Sequence, residues 1–313
     1  METIELGTTR QRISRLGMGG AATGAHGWGK VDDDDSRRAI ERALAAGVTF
    51  FDTADVYGLG HAEEILSQAL GPHRHQAIIA TKFGVRWDAA GRTWRDVTPH
   101  YLRQALEASL RRLRLDCIPL YYVHWPDGVT PLDETLGELD RCRDAGKIRW
   151  IGLSNHSADD VLRACQIIDV ASVQVRFNLL DRREAQPLVE LVDRLPFTLV
   201  TWGSLAEGLL TGKFASASTF DPQDRRSRYA NFRGDNFTDN LRLVERLRQV
   251  AARLGKMPAQ VALRWLLDTR RVGSVLFGAK TPRQVDDNLG ALGWNLAPDD
   301  YAELESMTHN VAA

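Results

Sequence analysis

The chain has little of what marks secreted, membrane or nucleic-acid-binding proteins. Only three cysteines occur in 313 residues, Cys117, Cys142 and Cys165, widely spaced and without a CxxC pair. That odd, scattered set argues against a disulfide framework or a zinc knuckle and fits a reducing cytoplasm. No apolar run approaches the ~20 residues needed to cross a bilayer. Residues 1–6 lack the basic and apolar regions of a signal peptide. Neither sign of charge is in excess, with 40 basic residues against 41 acidic and a formal net charge of -1. The basic footprint of a nucleic-acid binder is therefore missing. A cytoplasmic protein is expected, with neither nucleic acid nor membrane as partner. Low-complexity tracts and linkers are also absent, so residues 1–313 read as one domain.

What is present is ordinary for a globular protein: 43% hydrophobic and 26% charged residues. A globule of this length buries about three-quarters of its unfolded surface, so its core needs no staples. Two kinds of segment alternate. Runs rich in β-branched and aromatic residues at 16–19, 48–52, 77–82, 119–124, 148–154, 172–175, 198–201 and 272–277 read as strands. Helical spacing covers 34–46, 98–113, 132–145, 157–167, 183–195 and 240–254. Ser157 suits a helix N-cap, and Gly47 and Gly146 follow helices as terminating residues would. Eight near-continuous apolar strands, each followed by a helix, favour a closed parallel (β/α)8 barrel. The competitor is an open doubly wound sheet. Against it, the first strand turn reads Gly17-Met18-Gly19-Gly20-Ala21 and lacks the GxGxxG dinucleotide fingerprint. Residues 1–15, with Gly7-Thr8-Thr9 at their centre, read as a hairpin closing the barrel floor. The long connections 84–97 and 213–238 follow strands and are expected over the C-terminal face, where barrel active sites lie.

The ends of the strands carry ionisable groups. Asp52 closes the second in Phe50-Phe51-Asp52-Thr53-Ala54-Asp55, and Tyr57 follows in the loop. Lys82 closes the third and His124 the fourth. Any one of them alone reads equally as a capping or solvated residue; four on one rim of three consecutive strands read as a site. His73-Arg74-His75 could suggest a metal-dependent hydrolase. It precedes the third strand, away from that rim, and no later His and Asp set has metal-ligand spacing. A surface loop and no metal are expected.

At these residues the chain resembles the aldo-keto reductases, including the branch with sugar and inositol dehydrogenases and potassium-channel β-subunit-like members. The resemblance runs from Leu16-Gly17-Met18-Gly19 to Gln284-Val285-Asp286-Asp287-Asn288. It is carried by Phe51-Asp52-Thr53-Ala54-Asp55-Val56-Tyr57-Gly58, Thr81-Lys82, Val123-His124, Ile151-Gly152-Leu153-Ser154-Asn155 and Gly208-Leu209-Leu210-Thr211-Gly212-Lys213. It implies a (β/α)8 barrel binding NADPH, with NADH as the other possibility, and a catalytic tetrad of Asp52, Tyr57, Lys82 and His124. Tyr57 would be the general acid, Lys82 would lower the pKa of its phenol, Asp52 would hold Lys82, and His124 would orient the carbonyl oxygen.

The resemblance also implies cofactor-binding residues. Ser154, Asn155 and Gln174 would hold the nicotinamide carboxamide, and Trp202 would stack on the ring. Asp52 and Gly20 would border the cofactor, and Gly203-Ser204-Leu205 stand where relatives commonly carry Ser-Pro-Leu. Lys213 and one loop arginine, assigned as Arg228, would clamp the pyrophosphate. Gly278, Lys280, Gln284, Asp287 and Asn288 would meet the adenosine end, with Lys280 at the 2′-phosphate. Tyr57, His124, Trp125 and Trp87 would face the substrate, with Trp94, Trp28 and Asp127 as further candidates. Aldehydes, ketones and sugars all stay open as substrates, as do the direction of the reaction and the oligomeric state. The implied activity is hydride transfer between cofactor and carbonyl or alcohol. The alternative is a cofactor-binding regulatory subunit with little turnover.

Overall fold

The chain begins with an antiparallel hairpin, β1 (Thr3–Glu5) and β2 (Arg12–Ser14), whose apolar Leu6 and Ile13 are fully buried. The computed structural model describes residues 1–24, 28, 31–222 and 224–307. After the hairpin come β3 (Leu16–Gly19), β4 (Phe50–Asp52) and β5 (Ile78–Phe83). A second hairpin follows, β6 (Val85–Trp87) with β7 (Thr93–Arg95). The remaining strands are β8 (Ile118–Val123), β9 (Ile148–Ser154), β10 (Val170–Arg176), β11 (Thr198–Trp202) and β12 (Val272–Gly278). Eight of these strands pair in parallel and close into a barrel in the order β10-β11-β12-β3-β4-β5-β8-β9. The helices are α1 (Asp33–Ala45), α2 (His61–Leu70), α3 (Pro99–Leu113), α4 (Leu132–Asp144), α5 (Ala158–Ile167) and α6 (Gln186–Leu191). Then follow α7 (Gly234–Arg253), α8 (Pro258–Asp268), α9 (Pro282–Leu289) and α10 (Pro298–Glu305).

The barrel closes because its strands are apolar on both faces. Every residue of β5 is buried. Alternate side chains go to two layers. Phe50, Ile78, Ala80, Leu120, Tyr122 and Val200 fill the lumen, joined from below by Leu6 and Ile13. Their neighbours Phe51, Ile79, Tyr121 and Leu199 pack outward beneath the helices. The first hairpin is tied to the start of β11, where the Gly7 N–H donates to Thr198 Oγ1 at 2.7 Å and that hydroxyl donates to the Glu5 carbonyl at 2.8 Å. It therefore plugs the N-terminal end and leaves the C-terminal rim for chemistry.

The local signals act as expected at Ser157, whose hydroxyl accepts from the Asp160 N–H, and at Gly47 and Gly146, which take φ of 87° and 73° just after α1 and α4. Three segments differ from the periodicity reading. Connection 84–97 is not a plain loop: Asp88 Oδ1 accepts from the Ala90 and Arg92 N–H groups, closing the turn between β6 and β7. The expected helix 183–195 shortens to Gln186–Leu191, with Pro187 in its first turn, where proline is tolerated. The expected start at 240 moves back to Gly234, because Phe237 joins Phe214, Phe220 and Phe232 in an aromatic cluster, stacked on Phe232 and edge-on to Phe220. Helix α8 is buried almost all round, from Ala259 to Leu267 with only Gln260 partly exposed. Among the described residues, no helix is long and apolar enough to cross a membrane.

Candidate active site

Asp52 ends β4, Lys82 is the penultimate residue of β5, and His124 follows β8 directly, so parallel pairing brings all three to one rim. Lys82 is fully buried, and its Nζ donates to Asp52 Oδ1 at 2.6 Å and to the Thr53 carbonyl at 2.7 Å. Burial works against the ammonium, but the Asp52 carboxylate and the Tyr57 oxygen outweigh it and hold Lys82 cationic, above the ordinary lysine value. The second Asp52 oxygen accepts from Gln174 Nε2 at 2.8 Å.

Tyr57 stands in a tight turn directly after β4. Gly58 adopts a φ of 60°, and a Cβ there would lie 2.3 Å from the Gly24 carbonyl oxygen, so only glycine fits. The turn is braced from behind. Buried Glu63 of α2 accepts from Thr81 Oγ1 and from Arg112 Nε, both at 2.6 Å, which ties α2, β5 and α3 together beside the loop. Asp55, also buried, is pushed well above the usual carboxylate range by burial and then by the Glu63 charge.

The Tyr57 ring meets the His124 ring edge-on, with centroids 5.7 Å apart, and Lys82 Nζ lies 5.2 Å from the Tyr57 ring centre. Lys82 pulls the Tyr57 phenol down as expected, but it does not set the net direction. Burial raises the Tyr57 hydroxyl above 10.0 and exceeds the downward pull of Lys82, with Asp52 adding to the rise. His124 moves the other way. Burial, then the Lys82, Arg225 and Arg95 charges, hold it well below 6.5, so the imidazole is neutral at physiological pH.

Asn155 links this group to the neighbouring strands. Its Nδ2 donates to the His124 carbonyl at 2.9 Å and to Ser154 Oγ at 3.0 Å, and its Oδ1 accepts from Trp202 Nε1 at 3.0 Å. It does so with a φ of 60°, a conformation asparagine tolerates better than most residues. Ser154 Oγ lies 3.5 Å from Gln174 Oε1, completing a polar chain from Lys82 through Asp52, Gln174 and Ser154 to Trp202.

A cleft of about 510 Å³ runs from Tyr57 and Asp52 past Trp202 to the turn between β12 and α9. Its far end is cationic. Arg226 is paired to Asp224, while Lys213 and Lys280 are each depressed by burial and then by the Arg226 charge. Lys213, Arg226 and Lys280 outnumber the Asp224 and Asp287 carboxylates at this end, an arrangement that suits a bound anion. Thr281 caps α9 and accepts from the Gln284 N–H, and Gln284 Oε1 accepts from the Lys280 N–H at 2.7 Å. An elongated cleft with a polar rim at one end and unneutralised cations at the other fits a phosphorylated dinucleotide by donor chemistry.

Of the residues expected at a site, Asp52, Tyr57, Trp202, Gly203, Ser204, Leu205, Lys213, Gly278, Lys280, Gln284, Asp287 and Asn288 line this cleft. Lys82, His124, Ser154, Asn155 and Gln174 adjoin it through the polar chain. Gly20 does not line it; its N–H donates to the Asp52 carbonyl at 2.6 Å, while Ala21 and Ala22 form the wall. Arg228 is a correction: it is exposed, and Arg225 and Arg226 line the cleft instead. The phenylalanine cluster decides this, because the Arg226 guanidinium lies 5.6 Å from both the Phe214 and Phe220 rings. Trp125 packs edge-on against Trp202 at 6.3 Å, outside the cleft wall, and Trp87 does not line the cleft. Trp94 is exposed, whereas Trp28 joins the wall. Asp127 is spent on structure, accepting from the Val97, Val129 and Thr130 N–H groups. His73 and His75 lie before β5, at the end of the barrel opposite Tyr57. Sequence reasoning missed Arg225, Tyr229 and Met257 in the wall; nothing in their local pattern marks them, since each is placed by loop packing.

The aldo/keto reductase family model matches residues 15–309. Aldo-keto reductase YhdN of Bacillus subtilis is 34% identical over 313 residues, covering 99% of this chain and 94% of that protein. Aldo-keto reductase yakc of Schizosaccharomyces pombe, named with NADP(+), is 32% identical over 305 residues, covering 95% and 89%. Among solved structures, the glycerol dehydrogenase AKR11B4 from Gluconobacter oxydans is similar with a TM-score of 0.89 and 35% identity, over 97% of this chain and 94% of that one. The holo form of the aldo-keto reductase AKR11C1 from Bacillus halodurans is similar with a TM-score of 0.82 and 27% identity, over 98% and 96%.

Proposed function

The chain belongs to the aldo/keto reductase family, and from that premise we propose that it interconverts carbonyls and alcohols with NADPH, using Tyr57 as the proton donor and acceptor. Family and fold support the coarser statement, an NAD(P)H-dependent oxidoreductase acting on carbonyl or alcohol groups. The observation that carries the finer one is the buried Lys82–Asp52 pair, hydrogen-bonded on to Gln174 and set beside Tyr57 and His124 at the mouth of a cationic cleft.

A dinucleotide held in the cleft by Lys213, Arg226 and Lys280 would supply the hydride chemistry. The protein's share is protonic and electrostatic. Tyr57 stays a neutral phenol because burial raises its pKa, so it has a proton to give as the carbonyl oxygen gathers charge. Lys82, held by Asp52 and the Thr53 carbonyl, faces the phenolate left behind and limits its cost. Neutral His124 retains one ring N–H, which serves as a donor to the substrate oxygen. Ser154, Asn155 and Gln174 would orient the carboxamide, and Trp202, held by Asn155, would support the ring. Lys213, Arg226 and Lys280 would hold the phosphates. The likeness to a glycerol dehydrogenase brings polyol oxidation within the same proposal, because these groups serve both directions.

Tryptophan-fluorescence titration of the purified protein with NADPH and then NADH tests this reading. Saturable quenching with tighter NADPH binding supports it, and failure of both to bind, checked by calorimetry, overturns it. Lys280→Ala should weaken NADPH roughly tenfold while changing NADH less than about twofold, the range for losing one charge-assisted hydrogen bond. Equal losses for the two cofactors would remove Lys280 from the 2′-phosphate.

A further inference from the structure

Among the described residues, two arginines near the catalytic groups have no acidic partner. Arg95, on β7, stacks its guanidinium 4.8 Å from the Trp125 ring centre, and the Trp125 ring lies 6.4 Å from that of His124. Arg225 lines the cleft beside Tyr57 and stacks 5.3 Å over Trp28. Among the described residues neither forms a salt bridge, whereas the carboxylates around them are already engaged. Glu207 takes both Arg176 nitrogens at 2.8 Å, Asp96 takes Arg86, Asp127 accepts backbone N–H groups, and Asp52 holds Lys82. Among the described residues the site therefore carries two positive charges with no carboxylate partner, Arg225 in the cleft wall with Tyr57 and Arg95 on the exposed rim behind the Trp125 ring that neighbours His124.

These charges are distinct from the phosphate-binding end. Arg226 acts on Lys213 and Lys280, while the fields of Arg225 and Arg95 fall on His124, and Arg225 also reaches Tyr57. Resting on the reductase reading above, we propose that the substrate is a carbonyl compound that carries an anionic oxygen group, carboxylate or phosphate, held by Arg95 and Arg225. A guanidinium presents a planar fork that matches either group bidentately. Stacking on Trp125, with a hydrogen bond from Arg95 Nη1 to the Pro126 carbonyl at 3.3 Å, and stacking on Trp28 keep the forks in place, and the remaining guanidinium N–H groups are open to a ligand. An anionic tail held at the rim leaves the carbonyl free to reach Tyr57 and His124. The two arginines would also draw such substrates to the site by long-range attraction.

The test uses matched pairs with the NADPH-saturated protein: 4-carboxybenzaldehyde against methyl 4-formylbenzoate, and glyceraldehyde 3-phosphate against glyceraldehyde. The charged member of at least one pair should show a kcat/KM roughly tenfold higher, and the preference should shrink in 0.5 M salt, about where exposed charges are screened. The pair with the larger ratio identifies carboxylate or phosphate. Arg95→Gln and Arg225→Gln should each lower kcat/KM for the charged substrate about tenfold more than for its neutral partner. Equal or better use of the neutral member in both pairs, or equal losses in the variants, would overturn the proposal. If no aldehyde supports NADPH oxidation, the reductase reading fails, and the anion site is judged by binding alone. Quenching of tryptophan fluorescence by benzoate but not benzamide, weakened about tenfold in Arg95→Gln, would sustain it, and the absence of benzoate binding would end it.

Discussion

Replacing Tyr57 by phenylalanine is expected to lower kcat for carbonyl reduction roughly 10²–10⁴-fold, the usual contribution of a positioned general acid. NADPH affinity should stay within about twofold, because in the proposed role the lost hydroxyl would serve the substrate oxygen, and the ring that packs on His124 remains. The same hydroxyl dictates the pH dependence. Its pKa lies above 10.0 because burial outweighs Lys82, so the proton-loaded form needed for reduction persists across neutral pH and reduction should be flat from about pH 6 to 9. Oxidation needs the phenolate. Its fraction grows about tenfold per pH unit below the pKa, so alcohol oxidation should climb through pH 10 without levelling. Initial rates in both directions across this range check the assignment, and an oxidation plateau near pH 7 would transfer the role to another group.

The second large effect is at the buried pair. Lys82→Met removes the cation from a fully buried site and leaves the Asp52 carboxyl with only Gln174 as side-chain partner. Breaking a buried pair on one side typically costs about 3–5 kcal/mol, because the remaining charge stays desolvated. Urea unfolding at pH 7 should show a loss of that order, together with loss of turnover. Adding Asp52→Asn should recover part of the stability, since the uncompensated charge is then gone, and none of the activity. A single variant as stable as the parent would mean that water reaches the pair.

Much of the architecture was legible because it is encoded in local periodicity. Near-continuous apolar runs separated by helical spacing suffice to call for eight parallel strands, and the strand-end positions of Asp52, Lys82 and His124 follow once those strands close. Boundaries failed where tertiary packing overrode the pattern. Helix α7 starts six residues earlier than its periodicity suggests because Phe237 is recruited to an aromatic cluster. Within the loop arginines, sequence could name the type of residue but not the position. Arg225, Arg226 and Arg228 are chemically alike, and only the packing of Phe214 and Phe220 turns Arg226 into the cleft and leaves Arg228 exposed.

By itself, then, the sequence determined the barrel, the family, and which residue types stand at the rim, since each depends on order and spacing along one chain. The tertiary structure alone decided the charge states and the connections. Tyr57 is held as a phenol and His124 as a neutral imidazole chiefly by burial, with charges from Asp52, Lys82, Arg225 and Arg95 that only the fold brings near. The polar chain joins Asp52 to Gln174 across 122 residues and Asn155 to Trp202 across 47. Contacts at such separations exist only after the barrel has closed, which is why no local pattern announces them.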